Sequence, residues 1–104
     1  MYKISFFVPE AYLESVKKEM FRAGAGKVGQ YDCCAWQVKG QGQFRALEGS
    51  KPFLGRVNEV EVVDEYRVEM ACDEGRIREA IQALLSTHPY ETPAYDVMKL
   101  LAFE

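Results

Sequence analysis

The ten residues His88-Pro89-Tyr90-Glu91-Thr92-Pro93-Ala94-Tyr95-Asp96-Val97 gather the chain's one histidine, two prolines, two tyrosines and two carboxylates. Such groups hydrogen-bond, move protons or bind metal. His88 and Glu91 would share a metal ion if both lay on one helix. Pro89 breaks a helix between them, and two ligands make a weak site. A metal site would therefore have to be shared between subunits, with a thiol joining from Cys33, Cys34 or Cys72. The structural alternative is that His88 ends a helix, where the dipole favours an imidazolium.

A second group of candidates lies between Lys39 and Asn58. Lys39, Arg45, Lys51 and Arg56 face only one acid there, Glu48, among Gly40, Gly42, Gly49 and Gly55. Arg forks and Lys ammonium groups suit phosphate or carboxylate ligands. The candidate anion site is therefore Lys39, Gly40, Gly42, Arg45, Lys51 and Arg56, with His88, Tyr90 and Glu91 lining a nearby cleft. The competing reading is a solvated loop, or one paired with the acidic run Glu59, Glu61, Asp64 and Glu65. A loop this long is uncommon unless it serves a function or is disordered. Phe44 and Phe53 would pin it to the body or to a neighbouring subunit.

Gly24, Gly26 and Gly29 with Lys27 raise the question of a phosphate loop. That pattern runs from strand to helix, whereas these glycines follow a helix and precede a strand. A helix cap followed by a turn explains them better. No nucleophile–base frame is present, so a small enzyme with its site at a subunit boundary is the least supported reading.

The elements that must position these residues follow from periodicity. Tyr2, Ile4, Phe6 and Val8 share one face of a strand over residues 2–8. Pro9 starts a helix in which Leu13, Val16, Met20 and Ala23 form the apolar stripe, with Glu14 and Lys18 paired on its surface and Gly24 as its end. A second strand is predicted over residues 31–38, then the long loop, then short strands over 59–63 and 65–72. In the last of these Tyr66, Val68, Met70 and Cys72 face inward. Asp73 is a candidate N-cap for a helix carrying Ile77, Ala80, Ile81, Leu84 and Leu85. His88-Pro89 stops that helix, and each proline pushes its predecessor toward extended geometry. A final strand is predicted over residues 94–103. The order strand–helix–strand, repeated, predicts an α+β ferredoxin-like sandwich: one antiparallel sheet with two helices on one face.

Composition narrows the function classes. The chain has 104 residues, 48% of them hydrophobic, so it can bury a core and is expected to be a single domain. A formal charge of −3 argues against a general nucleic-acid binder. No apolar run reaches the ~18–20 residues of a membrane span, and the N-terminus lacks a secretory signal pattern. A cytoplasmic protein with reduced, mostly buried thiols is the expectation.

Four ordered motifs, the His88–Val97 stretch among them, resemble a known family. They are Gly24-Ala25-Gly26-Lys27-Val28-Gly29-Gln30-Tyr31-Asp32-Cys33-Cys34, Gly40-Gln41-Gly42-Gln43-Phe44-Arg45, Lys51-Pro52-Phe53-Leu54-Gly55 and residues 88–97. Together they are similar to the insert domain of the NGG-one-interacting-factor-three-like proteins. The larger members hold their metal ligands in two flanking halves, and this chain resembles the insert alone. The resemblance implies a PII/CutA-like fold that commonly assembles as trimers, and it carries no hydrolase or GTP-cyclohydrolase label to this chain; a dimer through exposed sheet edges is the rival assembly. It also implies a non-enzymatic module that binds a small anionic ligand or a protein partner through a long loop. No cofactor is named by these residues.

Overall fold

The computed structural model describes residues 1–103. Strand β1 (Tyr2–Pro9) leads directly into helix α1 (Glu10–Arg22), and strands β2 (Trp36–Arg45) and β3 (Val60–Cys72) follow. A 3-10 turn (Glu74–Arg76) then opens helix α2 (Ile77–Thr87), and strand β4 (Tyr95–Lys99) closes the fold. The strand order is β2-β3-β1-β4, with every neighbouring pair antiparallel. This is the ferredoxin-like sandwich that the periodicity predicts.

Alternation decides which face is buried. Ile4, Phe6 and Val8 stand opposite Met70, Val68 and Tyr66, so they share one face of the sheet. Both helices cover that face. Leu13, Val16 and Met20 of α1 and Ala80 and Leu84 of α2 complete the core with Val68, Met70 and Cys72. Most of the inward residues expected from the sequence are found there, but Leu85, expected on the apolar stripe of the second helix, is exposed, and Tyr2, Ala23 and Ile81 lie outside the buried core.

Three boundaries differ from expectation. The second strand begins at Trp36 rather than Tyr31, because Cys33 takes a positive φ of 54° that interrupts extended geometry. Cys33 is consequently exposed, and only Cys72 is fully buried. The same strand continues through Gly40 and Gly42 to Arg45, so the first part of the expected loop is strand. On the other side, the two short strands expected over 59–72 are one strand of 13 residues. At about 3.3 Å per residue such a strand spans about 43 Å, which accounts for a molecule 49 Å long and 24 Å across. The connection that remains runs from Ala46 to Glu59 and is pinched at its base, where the Asn58 N–H donates to the Ala46 carbonyl (2.6 Å).

Smaller expectations are also corrected. Lys17, not Lys18, pairs with Glu14 (3.2 Å). Asp73 precedes the 3-10 turn in extended geometry but makes no side-chain cap. The last strand ends at Lys99. The glycine run does turn the chain, and its backbone docks on the sheet: the Gly26 N–H donates to the Ala71 carbonyl (2.7 Å). Gly26 has φ +77°, and a Cβ there would collide with the Phe21 ring, so a packed turn accounts for this glycine.

Phe6 is wholly buried at the centre of β1. Phe6→Ala is expected to lower stability by about 3–5 kcal/mol in urea unfolding. Leu85→Ala on the exposed face of α2 should change it by no more than about 0.5 kcal/mol.

Candidate functional site

The site is built where β1 outruns β4. Pairing between these strands ends at Phe6 and Tyr95, and one further bond runs from the Phe7 N–H to the Ala94 carbonyl (3.3 Å). The chain between α2 and β4 then leaves the sheet edge, and His88 takes over. Its Nε2 lies 2.7 Å from the Phe7 carbonyl oxygen, and its Nδ1 accepts the Tyr90 N–H at 3.1 Å. A carbonyl on one nitrogen and an N–H on the other permit one neutral tautomer, with the proton on Nε2. His88 does end α2, its N–H donating to the Leu84 carbonyl (3.0 Å). Its φ and ψ of −71° and 137° are the extended geometry that Pro89 demands. The ring, however, is only 6% exposed, and burial lowers its pKa even though the Phe7 bond opposes this. The imidazolium cap expected from the sequence is thus a neutral internal strut. Both nitrogens are engaged, leaving neither lone pair for a metal.

This strut sets the position of Tyr90. Its ring packs on His88 (centroids 4.8 Å apart), on Phe53 (6.1 Å) and on Phe44 (6.4 Å), while Phe53 meets Tyr12 of α1 edge-on (5.8 Å). The connection between β2 and β3 is held down by the same cluster and by the Lys51 N–H, which donates to Glu91 Oε1 (3.0 Å). Phe44 and Phe53 therefore pin the connection to the body of the domain.

Between the connection and the turn after α2 lies a pocket of about 270 Å³. Its walls are Phe7, Phe44, Pro52, Phe53, Leu54 and Tyr90, and its charged lining is Glu65 and Glu91. Glu65 reaches it because of a glycine. On β2, Gly40 faces Glu65 and Gly42 is the next residue on that face, and a Cβ on Gly42 would collide with the Glu65 carboxylate. Burial raises the Glu65 pKa. The Tyr90 hydroxyl is buried with no hydrogen-bond partner. Its pKa is also raised, first by burial and then by the Glu65 charge.

The sequence-predicted residues divide accordingly. Tyr90 and Glu91 line the pocket and His88 supports it. Gly42 makes room within it, while Gly40 has nothing near its Cβ position. The four cations do not converge. Lys39 sits on β2 and pairs with Glu10 (3.6 Å). Arg45, Lys51 and Arg56 enter no ion pair among the described residues, and no Lys or Arg side chain lines the pocket. Glu65 was missed as a site residue because it reads as an outward position on an alternating strand. The Gly-x-Gly opposite it was the available signal.

No family model matches the chain. It is 39% identical over 100 residues to a GTP cyclohydrolase 1 type 2 homolog of Halalkalibacterium halodurans, covering 96% of this chain and 27% of that protein. Among solved structures, a Bacillus cereus protein related to NIF3 superposes with a TM-score of 0.82 at 36% identity, over 95% of this chain and 25% of that one. The PII-like protein CutA from Nostoc superposes with a TM-score of 0.69 at 17% identity, over 96% and 81%. The chain thus spans about a quarter of the length of the curated relatives it matches, and the likeness to CutA is one of fold.

A neutral buried imidazole makes stability depend on pH. The folded pKa of His88 lies below the ordinary value of about 6.5, so the unfolded chain binds the extra proton first. The stabilisation is complete above that value and is lost as pH falls through it toward the folded pKa. The urea midpoint should fall between pH 7 and pH 5, with a steeper decline in the wild-type protein than in His88→Gln, which lacks this titration. Equal slopes in the two proteins would remove the neutral strut.

Proposed function

We propose that this chain, a homologue of the CutA-like domain of the GTP cyclohydrolase 1 type 2 homologues of the NIF3 family, is an oligomeric binding module rather than an enzyme. The observation that carries this reading is the preformed pocket, walled by aromatic rings and holding a partly buried carboxylate and an unpartnered hydroxyl. Ligand sites have this make-up: mostly apolar walls and a few placed polar groups. Among the described residues of the pocket no histidine or nucleophile is hydrogen-bonded to the Glu65 carboxylate, and the one imidazole is tied at both nitrogens. The cyclohydrolase name belongs to relatives of which this chain spans about a quarter, so it supports no reaction here.

The oligomer is proposed from the sheet. On the face away from the helices, Trp36 is 56% exposed with Val38 exposed beside it on β2, and Met98 is 50% exposed on β4 at the opposite edge. β2 is also an edge strand of ten residues, a template for pairing unless it is covered. The resemblance to CutA and PII proteins implies that a homotrimer covers it. A second reading rests on the connection between β2 and β3, where Arg45, Lys51 and Arg56 are free of ion pairs among the described residues. On this reading they hold an anionic partner outside the pocket. Arg45→Ala and Lys51→Ala would then weaken that partner's binding, and added salt would weaken it further.

Native mass spectrometry of the purified protein tests the oligomer. A trimer is expected, with the double variant Trp36→Glu, Met98→Lys shifted toward monomer. A wild-type monomer at micromolar concentration would overturn the proposed assembly.

A further inference from the structure

The pocket's electrostatics are opposite in sign to those of the connection that covers it. The basic side chains of that connection lie outside, and the charges that line the pocket are both acidic. Glu91 already accepts the Lys51 N–H. The Glu65 carboxylate has no hydrogen bond or ion pair to any described residue, although burial disfavours its charge. A carboxylate carried into an apolar pocket without a partner costs free energy. The chain nevertheless keeps a glycine at position 42, where any side chain would displace that carboxylate. Around it stand the rings of Phe7, Phe44, Phe53 and Tyr90, whose faces are electronegative and attract cations.

We infer that the pocket binds a small organic ammonium ion, its charge on Glu65 and its hydrocarbon part against Phe44, Phe53 and Pro52. The inference rests on the reading of this pocket as the binding site and names its ligand class. An anion would meet two carboxylates and no cation. A neutral hydrocarbon would desolvate Glu65 further and leave it unpaired. An ammonium ion supplies the missing countercharge and the ring contacts together, and a charge-assisted pair is the strongest kind of hydrogen bond available there. The volume of about 270 Å³ falls just below the range for drug-sized ligands, which suits a chain of a few carbons.

The test is NMR titration of the full protein with three probes of similar shape: n-butylammonium, n-butanol and butyrate. Butylammonium should shift the signals of Phe44, Phe53 and Tyr90 and bind at least about tenfold tighter than butanol, as expected for a hydrogen bond to a charged group. Butyrate should bind weakest. Glu65→Gln should abolish the preference for the amine, and Gly42→Ala, which displaces the carboxylate while leaving it in the chain, should reduce it. A capped lysine peptide distinguishes a free amine from a lysine side chain as the source of the ammonium group. Butyrate binding as tightly as butylammonium, or an amine preference that survives Glu65→Gln, would overturn the inference while leaving the pocket as a site. No shift at the three rings with any probe would overturn the pocket reading itself.

Discussion

The two hydrogen bonds of the His88 imidazole hold the site together. One continues the bonding along the edge of β1 after β4 has ended, and the other fixes the turn that carries Tyr90. An imidazole can do both only while neutral, since protonation would place a donor against the Tyr90 N–H. Burial supplies the neutrality. From this strut the rest follows in order. Tyr90 is set against Phe44 and Phe53, Phe53 against Tyr12, and Glu91 against the Lys51 N–H. The long connection is thereby a wall of the pocket, its two ends pinned to each other by the bond from the Asn58 N–H to the Ala46 carbonyl.

The sign of the pocket follows from a cross-strand relation rather than from the composition of the nearest loop. Side chains on a strand alternate, so β3 presents Glu65 on the face opposite its neighbours Tyr66 and Asp64. Gly40 and Gly42 strip the facing part of β2 of side chains, and the Glu65 carboxylate lies in the space so made. Arg45, Lys51 and Arg56 are close in sequence to the residues that wall the pocket but do not line it. The charged groups that do line it, Glu65 and Glu91, are both carboxylates.

Much of this architecture was legible in the sequence. The strict alternation from Tyr66 to Cys72 and the helical spacing from Ile77 to Leu85 place the core because burial enforces those periods. The hairpin was less legible because it extends beyond the helices, so burial leaves no alternating record there. Val60 and Val62 are exposed, and the glycines of β2 read as loop. The phase was nevertheless continuous, since Trp36, Val38 and Phe44 all fall on one face. The site was half legible. Tyr90 and Glu91 were chosen for their chemistry and do line the pocket. His88 was placed correctly at the helix end but assigned the wrong charge, because its partner Phe7 lies 81 positions away. Glu65 was passed over because nothing local to β3 says that its outward face is covered.

Fold likeness and site chemistry are therefore separate sources of information. At 17% identity a CutA shares the sheet order and the helix placement, and those constrain the core face alone. The pocket lies on the other face, and its character depends on a handful of residues outside the core. They are a glycine at 42, a glutamate at 65, three phenylalanines and a tyrosine. Replacing the glycine would displace the carboxylate without touching the core, because Gly42 sits on an edge strand and meets only the end of a flexible side chain. The charge lining the pocket can therefore change without disturbing the core. In this chain it is the pairing of Gly42 with Glu65, more than the ferredoxin-like frame, that places a carboxylate in the pocket.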